Sequence, residues 1–346
     1  MSGKNGILER LQKGPVLGAE GYVFELERRG YLQAGPFVPE VVLENPEAVK
    51  ALHKEFLNAG AEVMLALTYY GHREKMKVVG REDDLEALNR VAVRLAQEVA
   101  ADSDALVAGN LSNAGVYDHN NPEESSKRLR AIYDEQVQWA YEEGIDFVIA
   151  ETLSSLGEAL IALESIKKFD LPAMITFIPF SPRKMMDGYT YEEACKILAD
   201  NGAEIVGLNC GRGPSTMMPL LERIRDKVDG YIAAQPVPYR TTNEQHSFHF
   251  LQEPGHGMGF PIALDPFTHT RHEMADFAAQ AKELGVNYIG ICCGAGPHHV
   301  RAMAEALGRT PPASRYSPAM DKHPMFQEGV QERIQALRAR WAAEVE

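Results

Sequence analysis

Cysteine is scarce in this chain: four residues in 346, at positions 195, 210, 292 and 293. So few thiols exclude a disulfide framework in a chain of this size, and each must be accounted for singly. Long apolar runs are missing as well. The opening MSGKNGILERLQKGP has no uninterrupted apolar stretch of the kind a secretory leader carries, and nothing downstream approaches the ~20 residues that span a bilayer. The expected location is the cytoplasm, with no membrane partner. Positive charge is also in deficit, since 35 Lys and Arg against 49 Asp and Glu leave a formal charge of -14. That field repels nucleic acid and anionic lipid, and no basic run interleaved with aromatics opposes it, so no nucleic-acid partner is expected.

What the chain does have is apolar residues, at 45%, enough for one large core or two moderate ones. Short runs rich in Val, Ile, Leu and Ala recur eight times: PVLGAEG, AEVMLAL, ALVAGNL, DFVIAET, PAMITF, EIVGLNC, GYIAAQP and NYIGICCG. They read as buried parallel strands. Between them lie segments such as PEAVKALHKEFLNAG, SSKRLRAIYDEQVQWAYEEG and YEEACKILADNG, with apolar residues three and four apart and a closing Asn or Gly. Those are amphipathic helices. Eight alternations within about 300 residues predict an α/β fold, a (β/α)8 TIM barrel, rather than a doubly wound sheet. The expected division is a barrel over residues 1–310 and a helical extension over 311–346.

Two segments break the rhythm. Residues 237–269 form a long stretch with little periodicity, expected to overhang the barrel mouth. The tail places Val330, Ile334, Leu337 and Trp341 at helical spacing, a face that needs the barrel or another subunit to cover it.

The sixth run ends L-N-C-G-R-G-P and the eighth I-C-C-G-A-G-P, so Cys210 and Cys293 share the pattern C-G-x-G-P. In both, glycines let the chain leave the strand sharply, and Pro214 or Pro297 suits the first turn of the next helix. Both cysteines therefore fall at the C-terminal mouth, where barrels carry their chemistry, on strands of the same parity. A lone buried cysteine reads as a small hydrophobe, and Cys195, inside a helix, is read that way. Three thiolates, Cys210, Cys292 and Cys293, converging without an obvious fourth ligand instead describe a soft site with one open position, suited to Zn2+. Such a zinc is a weak Lewis acid but a good holder of a substrate thiolate, so the expected chemistry is thiol alkylation. The glycines of GRGP and GAGP lack the third glycine of a dinucleotide loop. Histidines 246, 249, 256, 269 and 272 match no ligand spacing and are read as loop hydrogen-bonding and capping groups.

With these residues in place, the chain resembles the homocysteine S-methyltransferases, and within them the betaine–homocysteine enzymes. The likeness runs from GILERL through the eighth helix. It is carried by GYVFELERRGYLQAGPF at 21–37, PEAVKALHKEFLNAG at 46–60, DALVAGN at 104–110, IAE at 149–151, GLNC at 207–210 and GICCG at 290–294. The resemblance implies a (β/α)8 barrel, zinc on Cys210, Cys292 and Cys293, homocysteine as acceptor, an onium methyl donor, and a homo-oligomer with C-terminal contacts. It places Glu20 and Glu151 against the ammonium of homocysteine, with the backbone N–H groups of Gly21 and Tyr22 facing its carboxylate; the bland reading of the two glutamates is a structural ion pair. Phe37, Tyr69, Tyr70 and Tyr22 could build an aromatic cage for the donor cation. Phe37 stands where the betaine enzymes carry Trp, Thr152 where they carry Tyr, and Glu20 where they carry Asp. A sulfonium or another betaine as donor stays open, as does a binding protein whose zinc is purely structural.

Overall fold

A computed structural model describes residues 5–253, 255 and 257–345. The eight apolar runs form eight parallel strands: β1 (Val16–Leu17), β2 (Val63–Leu65), β3 (Leu106–Ser112), β4 (Phe147–Leu153), β5 (Ala173–Phe177), β6 (Ile205–Asn209), β7 (Tyr231–Gln235) and β8 (Tyr288–Ile289). Their order around the sheet is β1, β8, β7, β6, β5, β4, β3, β2, with Val16 opposite Tyr288 and Tyr288 opposite Ala233. The seam between β1 and β2 is closed just outside the ladder: the Glu62 N–H donates to the Leu17 carbonyl at 2.8 Å, and the Leu17 N–H to the Glu62 carboxylate at 2.9 Å. The sheet thus curls into the expected barrel. Every residue of β2 through β6 is buried, the reason these runs are continuous rather than alternating.

Each strand leads into an outer helix: α1 (Pro46–Ala59), α2 (Leu85–Ala100), α3 (Pro122–Glu142), α4 (Leu156–Lys167), α5 (Tyr191–Asp200), α6 (Pro214–Arg225), α7 (Arg271–Glu283) and α8 (Pro297–Ala306). Local signals set their ends. Pro214 and Pro297 open α6 and α8 as the C-G-x-G-P pattern predicts. Thr190 and Thr270 cap α5 and α7 in capping boxes with Glu193 and Glu273. Gly60 ends α1 in the left-handed conformation.

Residues 237–269 are more ordered than their lack of periodicity suggests. They hold a 3-10 turn at Phe248–Phe250, a two-stranded hairpin pairing Gln252 with Met258, and a second 3-10 turn at Asp265–Phe267. The strap is tied down where the Phe248 N–H donates to the Gly211 carbonyl at 2.8 Å. Beyond α8, Ser314 bonds back to Glu305 and Arg301 reaches the carbonyls of Ala313 and Tyr316. The helix Val330–Val345 then leaves the barrel, with Val330 and Ile334 half-buried and Leu337 and Trp341 exposed. The barrel's own surface therefore does not cover that face. Among the described residues no helix is long and apolar enough to cross a membrane.

Candidate active site

The three cysteines meet because β7 lies between β6 and β8. Its end offers two successive carbonyls: Gln235 accepts from the Cys210 N–H at 2.9 Å and Pro236 from the Cys292 N–H at 3.0 Å. The Sγ atoms of Cys210 and Cys293 are 3.8 Å apart and those of Cys292 and Cys293 3.9 Å, and all three lie within 4.8 Å of one another. A tetrahedron with zinc–sulfur bonds of 2.3 Å has edges of about 3.8 Å, so the spacing fits three corners of such a site. Among the described residues this is the group of His, Cys, Asp and Glu side chains able to hold a metal. The thiols also polarise one another: hydrogen bonds from Cys292 and Cys293 hold Cys210 well below the usual thiol range, and donating to Cys210 pushes Cys292 and Cys293 up. Cys195 packs inside α5 with its Sγ near the Gly207 carbonyl, as the sequence suggested.

The shared sequence pattern gives only partly matching geometry. Gly211 and Gly294 both take positive φ, +66° and +88°, but Cys210 itself does too, at 58°. Five non-glycine residues among those described have positive φ; four of them, Phe37, Tyr70, Thr152 and Cys210, line one cavity, and the fifth is Asp170. Each costs roughly 1–2 kcal/mol, so this conformation persists only where hydrogen bonds fix it. Tyr70 N–H donates to Ser112 Oγ at 3.0 Å and Thr152 N–H to Asn209 Oδ1 at 2.7 Å.

Two cavities flank the cysteines. The inner, about 20 Å³, is lined by Glu20, Tyr22, Tyr69, Asn110, Glu151, Cys292 and Cys293 among others. Burial pushes Glu20 up to about 8, with Gln235 and Tyr288 pulling the other way; Tyr288 donates to its Oε1 at 2.8 Å. Burial lifts Glu151 well above the carboxylate range, and the nearby Cys292 and Glu20 add to it. Glu151 accepts from Asn110 at 2.7 Å and from Asn209 at 3.0 Å. Among the described residues neither Glu20 nor Glu151 has a cationic partner, so the ion pair of their bland reading is not formed there; their partners are Tyr288, Asn110 and Asn209. Three buried polar groups here keep atoms with no partner among the described residues: Glu20 Oε2, Asn110 Oδ1 and the Gln235 amide. Buried groups are seldom left so without a ligand to meet them.

The outer cavity, about 190 Å³, is walled by Phe24, Phe37, Tyr69, Tyr70, Phe248 and Phe260, with Asn113, Thr152, Ser154, His249, Cys210 and Cys293. Phe24 and Phe37 stack at 5.4 Å, and Phe248 meets Phe260 edge-on at 5.2 Å. Val23, Tyr69 and Cys293 line both cavities, so the sulfur cluster stands at their junction.

Of the residues expected for a donor cage, Phe37, Tyr69 and Tyr70 are there. Tyr22 is not: it lines the inner cavity, with its hydroxyl 2.9 Å from His53 Nδ1 and its ring against Phe56. Gly21 and Tyr22 stand at the start of the short helix Tyr22–Arg28. Four further residues of the outer cavity, Phe24, Phe248, His249 and Phe260, escaped the sequence reading, as did Asn110, Asn209 and Tyr288 around the carboxylates. Asn209 lies inside the L-N-C motif, but nothing in a sequence says that its side chain bonds Glu151, Thr152 and Thr176 together. Among the strap histidines, His246 bonds the Phe180 carbonyl and His269 lies 3.0 Å from Glu273, local roles as expected; His256 lies outside the described residues.

Residues 20–307 match the model of the homocysteine S-methyltransferase family. The chain is 36% identical to betaine–homocysteine S-methyltransferase 1 of Xenopus tropicalis over 95% of its length and 81% of that protein's. It is also 36% identical to an S-methylmethionine–homocysteine S-methyltransferase of Pongo abelii, over 92% and 88%. Its fold matches the metallated form of the homocysteine methyltransferase MmuM from Escherichia coli, with a TM-score of 0.68 at 20% identity, over 86% of this chain and 99% of that one.

Proposed function

Since this chain belongs to the homocysteine S-methyltransferase family, we propose that it transfers a methyl group from a betaine-type onium compound to the thiolate of homocysteine, giving methionine. The observation that carries this reading is the pair of joined cavities: buried carboxylates in one, uncharged aromatic walls in the other, and three thiols where they meet. Cys210, Cys292 and Cys293 would hold Zn2+. Bound there with a fourth position open, the ion would keep a substrate thiol deprotonated at neutral pH, which a free thiol of pKa ~8.5 is not.

The protein's own residues do the rest. Glu20 and Glu151 take the ammonium of homocysteine, whose charge supplies what their burial lacks, and the backbone at Gly21 and Tyr22 faces its carboxylate. Asn110 and Asn209 hold Glu151 in place. The aromatic rings receive the donor cation without hydrating it and hold its methyl in line with the sulfur. The sulfur–carbon bond forms as the carbon–nitrogen or carbon–sulfur bond breaks, and the electron pair leaves on a neutral amine or sulfide. No general acid is required. A sulfonium donor is the second reading, because the relative named for S-methylmethionine is as similar as the one named for betaine.

We further assign residues 1–310 as the catalytic barrel and 311–346 as an extension whose exposed Leu337 and Trp341 pack on another copy of the chain. Four free thiols fit the reducing cytoplasm. The test is incubation with homocysteine and a panel of methyl-labelled ammonium and sulfonium compounds. Label should pass into methionine from at least one; none from any would leave a binding protein with structural zinc.

A further inference from the structure

The outer cavity poses a problem for a zwitterionic donor. Its walls suit a cation, and among its lining residues there is no Lys, Arg, Asp or Glu. A donor that carries a carboxylate beside its onium centre would bring that group into a cavity whose hydrogen-bond donors are all neutral. One N–H of the Asn113 amide is committed to the Thr152 carbonyl at 3.1 Å, and Thr152 Oγ1 accepts from Asn209. The side-chain donors that line it are the second Asn113 N–H, the hydroxyls of Tyr69, Tyr70, Thr152 and Ser154, and one nitrogen of His249, which alone among them comes from the strap.

His249 is built for one orientation. Its ring is packed by Phe248 at 4.2 Å, Phe260 at 4.6 Å and Phe180 at 5.3 Å. Nδ1 lies 2.8 Å from the hydroxyl of Ser247, which is fully buried and makes no other side-chain hydrogen bond among the described residues. If Nδ1 carried the proton, the buried Ser247 O–H would be stranded as an unpaired donor, the costlier kind of omission. If Ser247 donates to Nδ1, both groups are satisfied and the proton sits on Nε2, which has no partner among the described residues. Burial lowers the imidazole to about 4, so it is neutral at physiological pH.

We propose that His249 is a donor-specificity residue, a neutral N–H on the strap that hydrogen-bonds the carboxylate of a zwitterionic onium donor. The inference rests on the methyl-transfer reading above and names the substrate class of the same cavity. A neutral donor resolves a conflict that Arg or Lys could not: it recognises the carboxylate without placing a second positive charge beside the onium centre. The assignment also explains why a loop with no periodicity is folded back onto the mouth and anchored through Phe248 to Gly211.

The experiment compares two sulfonium donors that transfer the same methyl group, dimethylsulfonioacetate with a carboxylate and trimethylsulfonium without one, in the zinc-loaded enzyme. The readout is the ratio of their kcat/KM values. In H249F, which keeps an aromatic ring but loses the N–H, the ratio should fall by about 10–100-fold, the range of a hydrogen bond to a charged group. H249Q, with an N–H restored, should recover part of it, and the KM for homocysteine should not follow the ratio. An unchanged ratio in H249F, including the case where both donors slow equally, would overturn the assignment. Failure of the wild-type enzyme to use any ammonium or sulfonium donor would instead remove the methyl-transfer reading, and the inference with it.

Discussion

Replacing Asn209 by alanine should separate the scaffold of this site from its chemistry. The carboxamide sits fully buried and makes four hydrogen bonds to nitrogen and oxygen groups: it accepts from Thr152 N–H at 2.7 Å and Thr176 Oγ1 at 2.8 Å, and donates to Glu151 at 3.0 Å and Thr152 Oγ1 at 2.8 Å, with Nδ2 also 3.9 Å from Cys292 Sγ. Alanine strands a buried N–H, a buried hydroxyl and one side of a buried carboxylate, each worth about 1–3 kcal/mol when left unpaired. Neighbours share the relaxation, so the sum is about 3–5 kcal/mol rather than the full total. At roughly 2.1 cal/mol/K of unfolding entropy per residue, a chain of 346 residues loses about 4–7 °C in Tm for that change. Thr152 has the additional burden of a positive φ, which its two bonds to Asn209 help to secure. Thr176→Val removes a single hydroxyl bond and should cost about 1 kcal/mol, or 1–2 °C. Differential scanning calorimetry reads both variants, and steady-state kinetics should show KM for homocysteine rising about tenfold in N209A, because Glu151 loses its orientation. If N209A melts within about 1 °C of wild type and binds homocysteine normally, the claim that Asn209 organises the pocket is wrong.

Glu20→Gln should trade function for stability. Glu20 titrates near 8 in the fold against an ordinary 4.5, so between those values the folded chain keeps a proton that the unfolded chain has released, and stability falls as pH rises. The Gln variant lacks this penalty; its advantage in stability should be absent below about pH 4.5 and grow to the order of a few kcal/mol by pH 8. In the wild type, ammonium binding must displace that proton, so affinity for methionine should rise with pH up to about 8 and then level off. The same titration with E20Q should be flat and weak. Gly294→Ala tests the turn beside the cluster: a Cβ there would lie 1.9 Å from the Tyr239 hydroxyl, which Arg28 holds at 3.0 Å, on a backbone with φ of +88°. Destabilisation of about 2–3 kcal/mol with weakened metal binding is expected, read by calorimetry and elemental analysis.

The barrel was legible because its strands are buried on every side, so PAMITF and EIVGLNC announce themselves as apolar runs without any tertiary information. The cysteines were legible because a repeated turn pattern at two same-parity strands is a statement about geometry, although it could not say that β7's carbonyls are what hold them. The cage was half visible. Phe37 and Tyr70 lie on the first two connections from strand to outer helix, whereas Phe248, His249 and Phe260 come from a segment with no period to interpret, tied down by long-range bonds from Phe248 to Gly211 and from His246 to Phe180. The polar net around Glu151 was invisible for a related reason: Asn110 and Asn209 sit on β3 and β6, at positions a pattern reading treats as strand interior. Tyr22 was misplaced because its ring turns out towards α1, where His53 offers a buried partner.

Everything proposed for this site depends on one metal ion bound by three sulfurs. Elemental analysis of freshly purified protein decides it: one zinc per chain is predicted, lost together with methyl transfer in Cys210→Ala, Cys292→Ala and Cys293→Ala but retained in Cys195→Ala, whose thiol lies apart in α5. Substoichiometric zinc in active wild-type enzyme, or a single cluster mutant that turns over normally without metal, would contradict the account.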